Sequence, residues 1–217
     1  LDAYLFRAMQ MELAAMWDRL RDYQYKGPLM MVHNSGGMAE VFKTDAVRTY
    51  SAGPVAALIG SHKLAQGLGY KNVIACDVGG TSFDIGLVVG QSVRNYDFRP
   101  ILDRWMVGIS MLQTMSIGAG GGSIASVNKL LGNRVEVGPQ SAGSFPGPVC
   151  YDQGGDDPTV TDADLVLGYL DEDYYFGGEM QLNKDKAEEV IQEKIADPLG
   201  VSVAEAAMLI RKIVDEN

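Results

Sequence analysis

The chain has 217 residues, of which 47% are hydrophobic and 21% are charged, a composition typical of a globular protein. Its formal net charge of −10 argues against a general nucleic-acid binder and against attachment to an anionic membrane surface, since both need a basic patch. Two cysteines are too few for a disulfide scaffold, and without a leader-like or membrane-spanning apolar run we expect a cytoplasmic protein.

The N-terminal segment has the pattern of an amphipathic helix over residues 2–23. Apolar residues recur there at three- and four-residue steps, which predicts one core-facing stripe: Leu5, Met9, Leu13, Met16 and Leu20. The chain opens within this helix without an initiator Met, and it stops just after another predicted helix. We therefore expect it to be a piece of a longer polypeptide.

A strand, a helix and a second strand follow with short connections. GPLMMVH (27–33) is a short apolar run after Gly-Pro, SAGP (51–54) opens a helix with Pro in its first turn, and NVIAC (72–76) is again an apolar run. This order predicts a βαβ unit with a parallel strand pair. Cys76 lies inside the second apolar run, so we expect it to be buried.

Beyond Cys76 the pattern changes to strands separated by tight turns. FDIGLVVG (83–90) and QSVRNYDFRP (91–100) predict an antiparallel meander with the preceding strand. A Gly/Ala cluster at 118–122 is expected to lead into a short helix. Residues 132–160 hold four of the eight prolines and are predicted to form loops.

The C-terminal part is predicted to be helical. TDAD resembles a capping box, so we place a helix after Thr161. A further helix carries an apolar face, and the last one is marked by a box from Ser202 to Glu205. The apolar face of the helix before the last one consists of Ala187, Val190, Ile191 and Ile195.

The stretch CDVGGTSFDIGLV combines two acids with a Gly-Gly-Thr turn. Such a turn alone can be a plain hairpin, but a lone carboxylate at a strand end is costly unless it is hydrated, paired or bound to a cation. Gly79 and Gly80 let backbone N–H groups approach an anion, and Thr81 adds a hydroxyl. With Asp77 and Asp84, these residues predict a hairpin that cradles a phosphate beside Mg²⁺.

DVGGTSFDIGLV resembles the phosphate-binding hairpin of the superfamily that includes actin, sugar kinases and heat-shock chaperone ATPases. A longer series of blocks narrows this resemblance: NSGG, SAGPVAA, DVGGTSFD, SIGAGGGSIA, VGPQSAGSFPGPVCY and TVTDADLVLG occur in that order. The series resembles the hydantoinase A/5-oxoprolinase family, which includes subunits of acetone and acetophenone carboxylases. It covers about residues 27–170.

The resemblance implies an α/β fold: an RNase H-like lobe of the actin, sugar kinase and chaperone ATPase type, with a mixed sheet, an antiparallel meander and flanking helices. The core would span about residues 27–170 of an ATPase-like domain, and residues 171–217 would be a helical part. Family proteins carry a second hairpin of this kind near their N-terminus. Only one occurs here, so we expect the isolated chain to be inactive.

The implied activity is ATP-dependent activation of a small molecule by phosphoryl transfer. A cyclic amide of the hydantoin or 5-oxoproline type would then be hydrolysed, or a ketone carboxylated. The implied cofactors are ATP and Mg²⁺ or another divalent cation. The implied partner is a hydantoinase B-type subunit in a hetero-oligomer.

The candidate site residues fall into three sets. Asp77 and Asp84 are expected to act in catalysis and to hold the metal, while the hairpin turn binds phosphate through Gly79, Gly80 and Thr81. The Gly-rich cluster before the predicted helix is a second candidate for cofactor binding, because a helix N-terminus attracts anions. A close-packed linker is the alternative interpretation of that set: Gly120, Gly121, Gly122 and Ser123.

Other polar residues favour structural interpretations. His33 ends a strand and is expected to be structural more often than a general base. The turn-rich patches NSGG and SAGP favour chain reversal and helix capping. The acids of the loop 152–164 lack the spacing of a calcium loop, so solvated turn and capping acids are favoured over a cation site: Asp152, Asp156, Asp157, Asp162 and Asp164.

Two other functional classes stay open. One is a nucleotide-gated binding module of the actin or chaperone kind, and the other is a non-catalytic subunit that supports a catalytic partner. Within the enzyme interpretation, Gln113 stands where many family members have an acid. An uncharged residue makes the substrate site less negative, which favours an enolisable ketone as the substrate over a polar cyclic amide.

Overall fold

The computed structural model describes residues 2–95, 100–102 and 104–217. The chain divides into two compact units. The first consists of Leu1–Asp77 and Asp84–Met115, and the second of Val78–Phe83 and Ser116–Asn217. Within the described residues, no helix is long and apolar enough to cross a membrane.

The first unit contains two long helices. Helix α1 spans Asp2–Asp22 and confirms the predicted N-terminal helix, although Leu13 alone of its apolar stripe is fully buried. Helix α2 spans Ala52–Gly67 and begins after Ser51, as the SAGP pattern predicts. Val55 and Leu58 on α2 are completely buried and form its inner face.

The predicted parallel strand pair is wrong. Strand β1 (Met30–Val32) pairs antiparallel with β2 (Met38–Glu40) in a separate two-stranded sheet. The NSGG segment between them reverses the chain, with Gly36 at φ +84° and the His33 N–H donating to the Gly37 carbonyl at 2.8 Å. This segment is therefore a hairpin turn, which is the structural role favoured for it from the sequence.

The predicted meander is present where the structure describes it. Strand β4 pairs with its two sequence neighbours and also with β8, and β6 and β7 form a small hairpin of their own. Residues 96–99 of the third predicted strand lie outside the described residues. The strands of this part are β3 (Val73–Val78), β4 (Phe83–Val89), β5 (Ser92–Val93), β6 (Ile101–Leu102), β7 (Trp105–Met106) and β8 (Thr114–Ile117).

The meander sheet packs on helix α2 through Gly86. A Cβ placed on Gly86 would lie 2.7 Å from Leu58 Cδ1, so only glycine allows the helix to approach this closely. The expected burial of Cys76 is wrong: Cys76 and Ile74 on β3 are exposed. An apolar strand sequence predicts burial, but within the described residues no element covers these two side chains.

The second unit packs an antiparallel strand pair against helices. Val135 of β10 faces Val127 of β9. Helix α4 continues through a π-helical stretch at 192–196 into the single turn α5. The elements are β9 (Ser123–Asn128), β10 (Arg134–Ser141), α3 (Val160–Val166), α4 (Lys184–Ile191), α5 (Asp197–Leu199) and α6 (Val203–Glu216).

One apolar core joins these elements. Side chains from both strands meet those of α3, α4 and α6, and the amphipathic pattern predicted for the last two helices is confirmed. Burial of this apolar surface is the main force that holds the unit together. The most buried members are Ala125, Ala163, Ile191, Ile195, Ala196, Ala206, Ala207 and Ile210.

Three segments of the second unit differ from the sequence prediction. The short helix expected after Gly122 is the strand β9, and part of the expected loop 132–160 is the strand β10. Strands β9 and β10 are paired with each other by backbone hydrogen bonds, and local sequence patterns do not reveal such a pairing. Helix α3 starts at Val160 because the capping box runs from Thr159 to Asp162.

Candidate functional site

The tip of the β3–β4 hairpin belongs to the second unit. The Gly79 N–H closes the turn by donating to the Ser82 carbonyl at 3.0 Å. Gly79, Gly80 and Thr81 are exposed, and a Cβ on Gly80 would meet nothing within 4 Å. The described residues supply no acceptor for the N–H groups of Gly80 and Thr81. This side of the tip is therefore open to a ligand that accepts hydrogen bonds.

The other side of the tip is packed against residues Gly120–Gly122, which we call the glycine clamp. The Gly121 N–H donates to the Gly79 carbonyl at 3.1 Å, and the Gly122 N–H donates to the Gly80 carbonyl at 2.7 Å. A Cβ on Gly120 would lie 2.6 Å from the Gly79 carbonyl oxygen. Backbone meets backbone here, so a side chain on Gly120 has no space.

This packing determines how the backbone N–H groups of the second candidate set, residues 120–123, are used. The Gly120 N–H donates to Ser123 Oγ at 2.9 Å, and the Ser123 N–H donates to the Gly120 carbonyl at 3.0 Å. With the two clamp bonds, all four N–H groups of 120–123 are used within the protein. The expected helix N-terminus is absent, and the close-packed alternative describes this segment. A direct role of these residues in cofactor binding stays a prediction.

Two hydroxyl groups support the hairpin and the clamp. Thr161, in the first turn of α3, donates its N–H and its Oγ1–H to the Gly121 carbonyl at 2.7 and 2.8 Å. Ser141 Oγ donates to the Gly80 carbonyl at 3.3 Å. Neither residue was predicted to belong to the site, although both lie in sequence blocks that carry the family resemblance.

Asp162 anchors the start of α3 from inside the protein. Its carboxylate is completely buried and accepts hydrogen bonds from the Cys150 N–H at 2.7 Å, the Val149 N–H at 3.3 Å and the Thr159 N–H at 2.8 Å. The Thr159 hydroxyl donates to it as well. The capping role predicted for the acids of this loop is confirmed for Asp162, but the predicted solvation is wrong.

A cavity of about 610 Å³ opens beside the hairpin tip within the second unit. Gly79, Gly80 and the glycine clamp line one part of it, and a charged group on α3 and α6 lines another. In that group, Arg211 pairs with Asp164 at 3.2 Å and with Asp215 at 3.2 Å. The apolar and aromatic wall includes Phe83, Tyr151, Val160, Tyr175 and Val214.

The acid groups of this cavity differ in their surroundings. The Asp164 side chain is 18% exposed and that of Asp215 is 56% exposed. Burial raises the pKa of Asp164 above its ordinary value, and the charge of Arg211 partly opposes this. Burial also raises the pKa of Tyr151, whose hydroxyl lies 2.8 Å from that of Tyr175. Tyr151 is thus a neutral hydrogen-bonding group in the wall, next to the Tyr175 hydroxyl.

The two acids predicted to hold a metal flank the tip in sequence and belong to the first unit. Asp77, on β3, is exposed, and Asp84, on β4, is partly buried. Within the described residues, no group of three or more His, Cys, Asp or Glu side chains is placed to hold a metal ion. Two carboxylates still fit Mg²⁺, which keeps several waters and needs only one or two such ligands beside phosphate oxygens.

The remaining candidates have structural partners. His33 Nε2 lies 3.0 Å from Thr44 Oγ1, in agreement with a structural role. Asp152 pairs with Lys186, and Asp157 pairs with Lys194 at 2.8 Å. The side chain of Lys186 lowers the pKa of Asp152. These two acids are surface ion-pair partners and not a cation site.

Comparison with protein families gives a match that covers the whole chain. The family model described as "Hydantoinase/oxoprolinase" matches residues 1–217. The chain is 64% identical over its full length to the acetophenone carboxylase gamma subunit of Aromatoleum aromaticum, of which it covers 30%. It is 43% identical over 190 residues, 87% of the chain, to the caprolactamase subunit alpha of Pseudomonas jessenii, of which it covers 27%.

Solved structures give the same fold. A nucleotide-free acetone carboxylase matches 94% of the chain with a TM-score of 0.89 and 31% identity, and the match covers 28% of that chain. An ATP-dependent caprolactamase from Pseudomonas jessenii matches 99% of the chain with a TM-score of 0.74 and 38% identity, covering 30% of that chain. The chain thus spans about 30% of the length of the two curated relatives named above.

Proposed function

Because the chain belongs to the hydantoinase/oxoprolinase family, we propose that it is part of an ATP-dependent enzyme that activates a carbonyl compound by phosphoryl transfer. The observation that carries this proposal is the hairpin tip at Gly79–Thr81. Its outer side is open and offers backbone N–H groups, while the glycine clamp fixes its inner side. Phosphoryl transfer needs positioned donors of this kind more than covalent chemistry from the protein.

The proposed roles follow the chemistry of each residue. The N–H groups of Gly80 and Thr81 would donate to phosphate oxygens. Asp77 and Asp84 would hold Mg²⁺ through water, and the metal would supply charge neutralisation on the phosphates. Gly120 and its neighbours would act by keeping the tip in place.

A ketone is the substrate class that we favour. The 64% identity to an acetophenone carboxylase subunit supports it. A cyclic amide is the second candidate, because the relative at 43% identity is a caprolactamase subunit. Both classes present a carbonyl oxygen as the phosphoryl acceptor.

We also propose that the full protein works in a hetero-oligomer with a hydantoinase B-type partner. The two curated relatives are named as a gamma subunit and an alpha subunit of their enzymes, which supports assembly with other chains.

The test is an assay of ATP consumption by the full-length protein with its co-purified partners. We expect acetophenone or acetone with bicarbonate to stimulate ATP consumption. Stimulation only by caprolactam, hydantoin or 5-oxoproline would favour the second candidate. ATP consumption that no carbonyl compound changes would contradict the proposed function and favour a nucleotide-gated binding module.

A further inference from the structure

Resting on the proposed function, we propose that Asp164 and Arg211 ionise the carbonyl substrate within the cavity of the second unit. Asp164 would be the general base, and Arg211 would stabilise the negative oxygen that forms. Both roles are distinct from phosphate binding at the hairpin, and they assign a use to a charged pair that the phosphate site does not need.

The chemistry of the substrates requires such a base. A neutral carbonyl oxygen is a poor nucleophile, but acetophenone, acetone and caprolactam each carry a removable hydrogen on the atom next to the carbonyl carbon. An Asp164 oxygen takes that proton, and the electrons of the broken C–H or N–H bond form a double bond to the carbonyl carbon. The carbonyl π electrons move to oxygen, which becomes the enolate or imidate.

The phosphoryl transfer then balances. The oxygen forms a bond to the γ-phosphorus of ATP, and the bond from that phosphorus to the bridging oxygen breaks. The products are ADP and an enol or imidate phosphate. The proton stays on Asp164 until it is released to water.

The geometry of the pair suits this task. Asp164 lies on α3 and Arg211 on α6, and both line the cavity. Arg211 Nη1 donates to both Asp164 oxygens, at 3.4 and 3.2 Å, and Nη2 pairs with Asp215 at 3.2 Å. A guanidinium has five N–H donors, so donors remain for a substrate oxygen. A base and an oxyanion-stabilising group therefore stand side by side.

The rest of the cavity is compatible with the ligand. Its volume of about 610 Å³ lies within the range of small-molecule sites. Phe83, Val160 and Tyr175 provide apolar and aromatic surface for a ring. Because Gly79 and Gly80 of the hairpin tip line the same cavity, an oxygen activated near Arg211 lies in one compartment with a phosphate that accepts from the Gly80 N–H.

Asp164 is the better base of the two acids that pair with Arg211. It is the more buried one, and burial makes its carboxylate more basic. Asp215 sits one helical turn from Arg211 on the exposed surface of α6, as is common for i,i+4 ion pairs. If the ion pair only stabilised the fold, Asp164 could be replaced without lowering the kcat of the folded enzyme.

The experiment compares Asp164→Asn with wild type in the full-length protein and its partners. Asp157→Asn is the matched control, since it also removes an acid from an ion pair but lies outside the cavity. We expect Asp164→Asn to lower the ketone-dependent kcat for ATP consumption by about a hundredfold or more, within the range for loss of a general base. The Kd for ATP should change less than threefold, and the control should match wild type.

Each outcome decides the matter. A wild-type kcat in Asp164→Asn, or a loss explained entirely by weaker ATP binding, overturns the inference while leaving the proposed function intact. If wild type itself consumes no ATP with any carbonyl compound, the proposed function fails first. If the Asp164→Asn variant does not fold, the Arg211→Lys variant is tested in its place. Lysine keeps the positive charge but lacks the planar guanidinium group that can donate two parallel hydrogen bonds. A kcat reduced about tenfold or more is expected, and an unchanged kcat refutes the role of the pair.

Discussion

The Gly122 N–H donates a hydrogen bond of 2.7 Å to the carbonyl of Gly80 at the tip of the β3–β4 hairpin. This contact joins two glycine-rich segments that are 42 positions apart in the sequence. It turns the inner carbonyls of the tip toward the glycine clamp. The outer side, with the N–H groups of Gly80 and Thr81, is left open.

The first prediction concerns Gly120, where a Cβ would lie 2.6 Å from the Gly79 carbonyl oxygen. Gly120→Ala should destabilise the chain by about 1–3 kcal/mol, as overpacking does, because the blocking atoms are backbone. Urea unfolding of residues 1–217 measures this. Gly60→Ala is the control, since a Cβ there meets nothing within 4 Å in helix α2. It should stabilise the chain by roughly 0.5–1 kcal/mol, and equal effects of the two variants would disprove the clamp.

The second prediction concerns the buried Asp162. Asp162→Ala leaves three backbone N–H groups, of Val149, Cys150 and Thr159, without their acceptor. Each unsatisfied buried donor costs about 1–3 kcal/mol, so we expect the folded state to be largely lost. Circular dichroism and thermal unfolding would show it. Asp157→Ala removes only an exposed ion pair and should shift stability by about 0.5 kcal/mol or less. A stable Asp162→Ala variant would contradict the anchoring role.

The third prediction concerns the Thr161 hydroxyl. Thr161→Val removes the 2.8 Å bond to the Gly121 carbonyl but keeps the shape of the side chain. We expect a loss of about 0.5–1.5 kcal/mol of stability and weaker ATP binding by the full-length protein, because the clamp loosens. Thr161→Ser retains the hydroxyl and should restore ATP binding. Should Ser and Val variants bind ATP equally, the hydroxyl has no part in holding the tip.

The fourth prediction concerns the isolated chain. Residues 1–217 should fold but should not turn over ATP, since only one phosphate hairpin of the two that the family resemblance implies is present. A coupled assay for ADP release from the pure chain tests this. Multiple turnovers above the rate of a Gly120→Ala variant would refute the need for a second hairpin.

Local sequence patterns account for the parts of the structure that were predicted correctly. The hairpin around Gly79 and Gly80 and the capping box at Ser202 depend on residues next to one another in the chain. The strands β9 and β10 were missed, because each becomes a strand through pairing with the other. The exposed Cys76 was also missed, since burial depends on what covers a strand and not on its own sequence.

The support of the candidate site was beyond local prediction as well. Thr161 reaches Gly121 across 40 positions and Ser141 reaches Gly80 across 61 positions. The cavity pair of Asp164 and Arg211 spans 47 positions. Thr161, Ser141 and Asp164 lie in sequence blocks that carry the family resemblance, but only the fold shows which residues they contact.

The central claim is that the hairpin from Asp77 to Asp84 holds the phosphates and metal of ATP. The most direct measurement is ATP consumption by the full-length protein carrying Asp77→Asn, with thermal unfolding measured in parallel. Asp77 is exposed, so its replacement by Asn should leave the packing of the chain intact while removing the charge that the proposed metal site requires. We predict loss of ATP-dependent activity with an almost unchanged Tm. Activity at the wild-type level, or a variant that unfolds, would contradict the claim.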